Sequence, residues 1–158
     1  MNISELINII KDIAVQQMPV HSSFDGDVYE NWDSKEIKYG SVNVALQSIT
    51  YDGNLCTYSL ILYYGDRLLQ DKKNVNLIYS DGVVALQSII NTLETEYGLD
   101  IPQSVIYTPF EQNFADYLAG VYATFDVVTE SELGYCSIAE MEMDEDSDSN
   151  SKSNSDNV

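Results

Sequence analysis

His21 is the only histidine in the 158-residue chain, and no serine or cysteine in a nucleophile-elbow or catalytic-cysteine setting accompanies it. Its context reads as a hydrogen-bonded or solvated loop residue. Cys56 and Cys136 lie far apart in sequence, each without a partner at ligand spacing, so neither a zinc site nor a disulfide framework is expected. A reducing compartment fits that usage. Asp25 and Asp27 flank Gly26, and Asp144, Glu145, Asp146 and Asp148 crowd together near the C-terminus. Carboxylate oxygens of this kind suit hard cations, but the spacing departs from that of a calcium loop, and solvated acids are the expectation. Neither glycine-rich phosphate motif, G-x-G-x-x-G or G-x-x-x-x-G-K-[ST], occurs. No pair of carboxylates can be assigned from sequence to one acid–base pocket. The residue types that could do chemistry therefore predict no catalytic residue, no metal and no cofactor.

Charge narrows the partners. Seven basic against 26 acidic side chains give a formal charge of −19, which opposes binding along a phosphate backbone by counterion release. Residues 140–158 carry seven of the acids and one base, with no aromatic residue, and read as a disordered acidic tail. Residues 1–139 still hold 19 acids against 6 bases, so the folding part is acidic in its own right. With 44% apolar residues the chain has enough to bury for one core, and at 158 residues one domain, 1–139, is expected. Apolar stretches stop well short of the ~18 residues of a membrane span, and the N-terminus has no basic segment ahead of an apolar one. A soluble, unprocessed chain with no membrane contact is the expectation.

The positioning elements follow from periodicity. Ile3, Leu6, Ile7, Ile10, Ile13 and Ala14 fall on one helical stripe, with Asn2 and Glu5 spaced as a capping box and Pro19 ending the helix. Val20 to Lys35 reads as an ordered loop held by Phe24, Tyr29 and Trp32. From Ile37 the period is two. Runs through Val42–Gln47 and Cys56–Tyr64, joined by Asp52-Gly53-Asn54, predict a β-hairpin of about ten pairs, or ~33 Å at 3.3 Å per residue. That is nearly the ~36 Å breadth of a domain of this size, so any overhang needs a neighbour to cover it. Val83, Leu86, Ile90, Leu93 and Tyr97 mark a second helix between Asn74 and Tyr97, capped by Gly98 and with Ser80-Asp81-Gly82 as an ambiguous start. A short strand at Ser104–Thr108, bracketed by Pro102 and Pro109, and a longer one at Val121–Val128 complete the order α-β-β-α-β-β. The fold class is α+β: an antiparallel sheet with a long hairpin, covered on one face by two helices. Six residues recur, Val44-Ala-Leu-Gln-Ser-Ile49 and Val84-Ala-Leu-Gln-Ser-Ile89, on a predicted strand and a predicted helix respectively.

The chain has twelve tyrosines. Tyr58, Tyr64 and Tyr122 sit among apolar strand neighbours and read as core with a polar tip reaching the edge. Tyr63 and Tyr107 would cover a helix or a partner subunit, and together the tyrosines point toward an interface.

The segment Tyr107-Thr-Pro-Phe-Glu-Gln-Asn-Phe-Ala-Asp-Tyr-Leu-Ala-Gly-Val-Tyr-Ala-Thr-Phe-Asp-Val128 resembles the closing strand region of tail terminator or tail completion proteins of tailed bacteriophages. In these a Pro-Phe turn, here Pro109-Phe110, leads through a Phe-Ala-Asp element and an Ala-Gly-Val stretch into a final strand. The element order over residues 1–130 is similar as well. The resemblance implies a structural virion protein without enzymatic activity: a subunit of a homo-oligomeric ring at the head-to-tail neck. Such a ring contacts portal or connector and tail tube proteins while DNA passes through its channel without specific binding. An acidic wall that repels phosphates suits such a conduit. On this reading the hairpin end near Tyr63, Tyr64 and Arg67 reaches an adjacent subunit, and Phe110 and Phe114 anchor the closing segment to the core or to a neighbour. Lys35, Lys38, Arg67, Lys72 and Lys73 should not line the channel.

Two other classes remain open at this point. An acidic inhibitor that mimics DNA would share the charge, but gives the aromatic hairpin and the Pro-Phe segment no role. A small carboxylate-based enzyme would need an acid–base pair in one pocket.

Overall fold

The computed structural model describes residues 1–33, 37–102, 104–114 and 116–130. The expected acidic tail at 140–158, Cys136 and Lys35 lie outside the described residues.

Helix α1 (Ile3–Gln16) starts where the sequence places it. The Asn2 side chain accepts from the Glu5 N–H at 2.9 Å, while the Asn2 N–H donates to the Glu5 carboxylate at 3.1 Å. Its buried stripe is Leu6, Ile10, Ile13 and Ala14. The expected loop after Pro19 instead contains a short strand, β1 (Ser22–Asp25), and a helix of five residues, α2 (Val28–Trp32), capped by the Asp27 carboxylate on the Tyr29 N–H. Four residues of strand and little more than one turn of helix carry too little periodicity to register. Their order comes from parallel pairing of β1 with Ser41–Val44 and from burial of Trp32.

The hairpin is β2 (Ser41–Asp52) and β3 (Leu55–Arg67), turning at Gly53 with φ +61°. Its register runs from Ser41 opposite Gly65 to Asp52 opposite Leu55, with an irregularity at Gln47 between Leu46 and Ser48. Helix α3 (Val75–Thr95) starts after Asn74 and runs through Ser80-Asp81-Gly82 without interruption. Beyond its C-terminus Gly98 adopts φ +64° and the Leu99 N–H donates to the Leu93 carbonyl.

The short strand, expected at 104–108, is β4 (Tyr107–Asn113). Pro109 therefore lies inside it rather than closing it, and Pro109-Phe110 is strand, not turn. The sheet tolerates this because β4 is an edge strand, where a residue lacking an N–H costs no ladder bond on its open side. Strand β5 (Tyr117–Glu130) is longer than the expected 121–128 and pairs with β3 along its length, from Arg67 opposite Leu118 to Leu55 opposite Glu130.

The strand order is β1-β2-β3-β5-β4, antiparallel apart from β1 with β2. The fold is mixed α+β. Helices α1 and α3 cover one face over a core of Leu6, Ile10, Val42, Val44, Leu60, Leu62, Tyr64, Leu86, Leu93 and Phe125. A smaller second core, of Val28, Trp32, Ile37 and Leu118, forms on the opposite face under α2. Among the described residues no helix is long and apolar enough to cross a membrane.

Candidate functional site

The residues singled out from sequence do not converge on one spot, because adjacent strand residues face opposite ways. Tyr63, Phe110 and Phe114 meet on the α2 face around Trp32. The Phe110 ring stacks on the indole at a centroid distance of 6.1 Å, and Phe114 meets it edge-on at 5.4 Å. Tyr63 lies edge-on at 6.2 Å, and Tyr122, opposite Tyr63 in the β3–β5 register, contacts both Tyr63 and Phe110. Tyr122, expected as core with a polar tip reaching the edge, thus belongs to this half-buried cluster. The cluster opens on a shallow cleft of about 420 Å³ whose polar wall is Gln47, Gln112 and Thr124. Burial, with Tyr29, Tyr122 and Asp27 nearby, raises the Tyr63 hydroxyl above the usual tyrosine value.

Trp32 organises this cluster, and sequence reasoning gave it only the role of a loop anchor. The available signal was Val28 and Trp32 at helical i, i+4 spacing behind the Asp27 cap. Its indole N–H donates to the Ser41 hydroxyl at 3.2 Å. It also fits against β3 because position 65 is glycine: a Cβ there would stand 2.7 Å from the ring. Beneath it, the buried Asn43 amide donates to the Gly26 carbonyl and accepts from Asn31, closing the joint between β1 and α2.

Tyr64 points the other way. It is fully buried in the helix-side core, so its side chain packs within the chain instead of reaching an adjacent subunit. Burial holds its hydroxyl far above the ordinary tyrosine value, and among the described residues that hydroxyl has no hydrogen-bond partner. Arg67 ends β3, the end remote from the turn, where it pairs with Asp116 at 3.1 Å and lies over the Tyr39 ring at 4.6 Å. Lys72 pairs with Glu111 at 3.0 Å, Lys11 with Asp25 at 2.7 Å and Lys73 with Asp71 at 3.4 Å. These bases are each neutralised by a local acid.

The distal half of the hairpin is the more distinctive surface. Strand β1 pairs with β2 over Ser41–Val44. Beyond that pairing Leu46 and Ile49 are 38% and 42% exposed on the helix side, and Leu55 is 48% exposed at the tip. From Ser41 to Tyr64 the hairpin contains a single charged residue, Asp52, and Asp66 and Arg67 follow at its base. On the same helix-covered face, toward the β4 edge, α3 and the start of β4 border a groove of about 520 Å³ lined by Val84, Gln87, Ser88, Asn91, Glu94 and Tyr107.

A scan against protein-family models and a search of curated proteins both return no match to this chain.

Proposed function

We propose that this chain is a structural, ring-forming subunit of the head-to-tail neck or tail terminus of a tailed-phage virion, surrounding the DNA channel and performing no reaction. The observation that carries the reading is the distal β2–β3 hairpin. It is a long ribbon bearing half-exposed Leu46, Ile49 and Leu55 and one charge, in a chain of net charge −19. Copies so acidic repel one another, and a surface free of charge is where they can meet. The sequence resemblance of residues 107–128 to the closing strands of tail terminators supports the same reading, with the departure that Pro109-Phe110, a turn in that pattern, is strand here. So does the local pairing of Lys11, Arg67, Lys72 and Lys73 with carboxylates, which leaves the acidic excess to face passing DNA.

Native mass spectrometry and negative-stain electron microscopy of the purified full-length protein test it. Closed rings of one subunit number are the expected result. A chain that stays monomeric at micromolar to millimolar concentration, and that instead blocks a DNA-binding enzyme, would establish the DNA-mimic class.

A further inference from the structure

We infer that the aromatic cleft on the α2 face is a docking site for an arginine side chain presented by a basic segment of a partner protein. The inference goes beyond the ring reading and does not depend on it.

Three observations carry it. First, the cleft has the makeup that a guanidinium needs. Tyr63 of β3, Phe110 of β4 and Tyr122 of β5 stand in mutual contact at centroid distances of 5.8 to 6.4 Å, and Tyr29 of α2 packs on Phe114 at 5.6 Å. Rings from four elements therefore wall one concavity. Ring faces attract a cation through their quadrupole, and a planar, weakly hydrated guanidinium stacks on them better than an ammonium does. It brings five donors and no acceptor. The Gln47 and Gln112 carbonyl oxygens and the Thr124 hydroxyl border the cleft and can accept from it. Among the described residues none of these three side chains is engaged in a hydrogen bond within the chain. Gln47 is also the residue skipped by the β2–β3 register between Leu46 and Ser48, and a bulge is a means of aiming a side chain at a site.

Second, aromatic rings outside the cleft already carry cations of the chain itself. Arg67 lies over Tyr39 at 4.6 Å, and Lys72 over Tyr117 at 5.9 Å. Among the described residues no lysine or arginine lies over a ring of the cleft. Arg67 is the single arginine of the chain and is paired with Asp116, so the occupant comes from a different protein.

Third, the charge around the cleft selects a cation. Residues 26–33, which supply the α2 wall, hold Asp27, Glu30 and Asp33 and no base. Asp126 follows Thr124 by two positions on the same face of β5, where its carboxylate accepts from the Ser59 hydroxyl. With a chain charge of −19 this field draws in a basic segment and repels a phosphate or carboxylate. A neutral ligand gains nothing from it. The volume of about 420 Å³ lies at the small end of the ~300–1,000 Å³ of ligand sites and suits one long side chain.

Titration of the ¹⁵N-labelled full-length protein with end-blocked Gly-Gly-Arg-Gly-Gly, followed by nuclear magnetic resonance, tests the inference. The expected result is saturable shifts at the Gln47 and Gln112 side-chain amides, weaker binding of the lysine pentapeptide, and none of the pentapeptide with citrulline, the uncharged isostere of arginine. Tyr29→Leu and Tyr122→Leu keep apolar bulk and remove a ring, and each should weaken the arginine peptide about fivefold with unchanged far-ultraviolet circular dichroism. Equal binding of the citrulline peptide would overturn the inference by showing a site for neutral ligands. Equal binding of the lysine peptide, with shifts spread over the acidic surface, would overturn it by showing attraction without a site. So would an affinity that neither leucine variant changes, or no saturable shift at all. None of these outcomes alters whether the parent protein forms rings, so the two readings fail separately.

Discussion

Tyr63 and Tyr64 are consecutive in β3 and belong to different cores. Tyr63 joins the open aromatic cluster around Trp32, and Tyr64 is sealed beneath α3 with its hydroxyl unpartnered. The alternation of a strand is sufficient cause. Its consequence is that one tyrosine is adaptable and the other fixed. A buried hydroxyl without a hydrogen bond opposes folding, whereas a ring half-exposed beside a cleft has no such penalty.

Tyr64→Phe should therefore stabilise the protein by about 1 kcal/mol, since it removes the orphaned hydroxyl and keeps the ring. Urea unfolding followed by circular dichroism checks it through a higher midpoint at unchanged slope. A lower midpoint would mean the hydroxyl is satisfied in solution.

The same residue contributes to the alkaline limit. Burial raises the Tyr64 ionisation in the folded state, so between the unfolded value, about 10, and the folded one the native chain holds a proton the unfolded chain has lost. Stability contributed by this group is fully present below pH 10 and is lost as pH rises beyond it, at about 1.4 kcal/mol per pH unit. Denaturant midpoints between pH 9 and 12 should fall less steeply in Tyr64→Phe than in the parent protein.

At Gly65 an added methyl would sit 2.7 Å from the Trp32 ring. Gly65→Ala should cost about 1–3 kcal/mol through overpacking. Trp32 is the single tryptophan and is 1% exposed, so its fluorescence should shift to the red as the indole is pushed toward water. Unchanged emission together with unchanged stability would show that α2 yields freely.

Asn43→Leu should destabilise by about 1–3 kcal/mol, since it leaves the Gly26 carbonyl and the Asn31 amide short of partners at a buried joint. Hydrogen exchange should rise in β1 and α2 ahead of β3 and β5.

Ionic strength separates the two acidic readings. Contact between uncharged patches on strongly acidic subunits is opposed by long-range repulsion, whose reach falls from ~30 Å at 0.01 M salt to ~10 Å at 0.1 M. The assembled fraction by light scattering should increase with added NaCl. A complex in which the chain mimics DNA on a basic enzyme would dissociate over the same range.

Several elements were legible in the residues alone. The Asn2–Glu5 box, the stripe from Leu6 to Ala14, the Asp-Gly-Asn turn and the Gly98 cap are each specified within a few positions by steric and hydrogen-bond requirements. The charge-poor hairpin could likewise be read from composition. What could not be read was which way side chains are enclosed and where short segments settle. Pro109 passes as strand only because β4 is an edge, and residues 22–32 take shape only because β2 offers a pairing edge and Gly65 a seat for Trp32.

The repeated Val-Ala-Leu-Gln-Ser-Ile shows the division most sharply. At 44–49 it is strand and at 84–89 it is helix. Within six residues its apolar positions fit either period, so local propensity does not choose. Its neighbours decide. Leu46 and Ile49 pair with Leu60 and Tyr58 across a hairpin closed by a tight turn, whereas Ala85, Leu86 and Ile89 bury a helical stripe against the finished sheet. The sequence on its own determined the caps, the turn, the period of the long elements and the acidic charge, because those are short-range properties of the chain. The tertiary structure alone determined the two cores and the strand order that separates them, because each exists only once distant strands have paired.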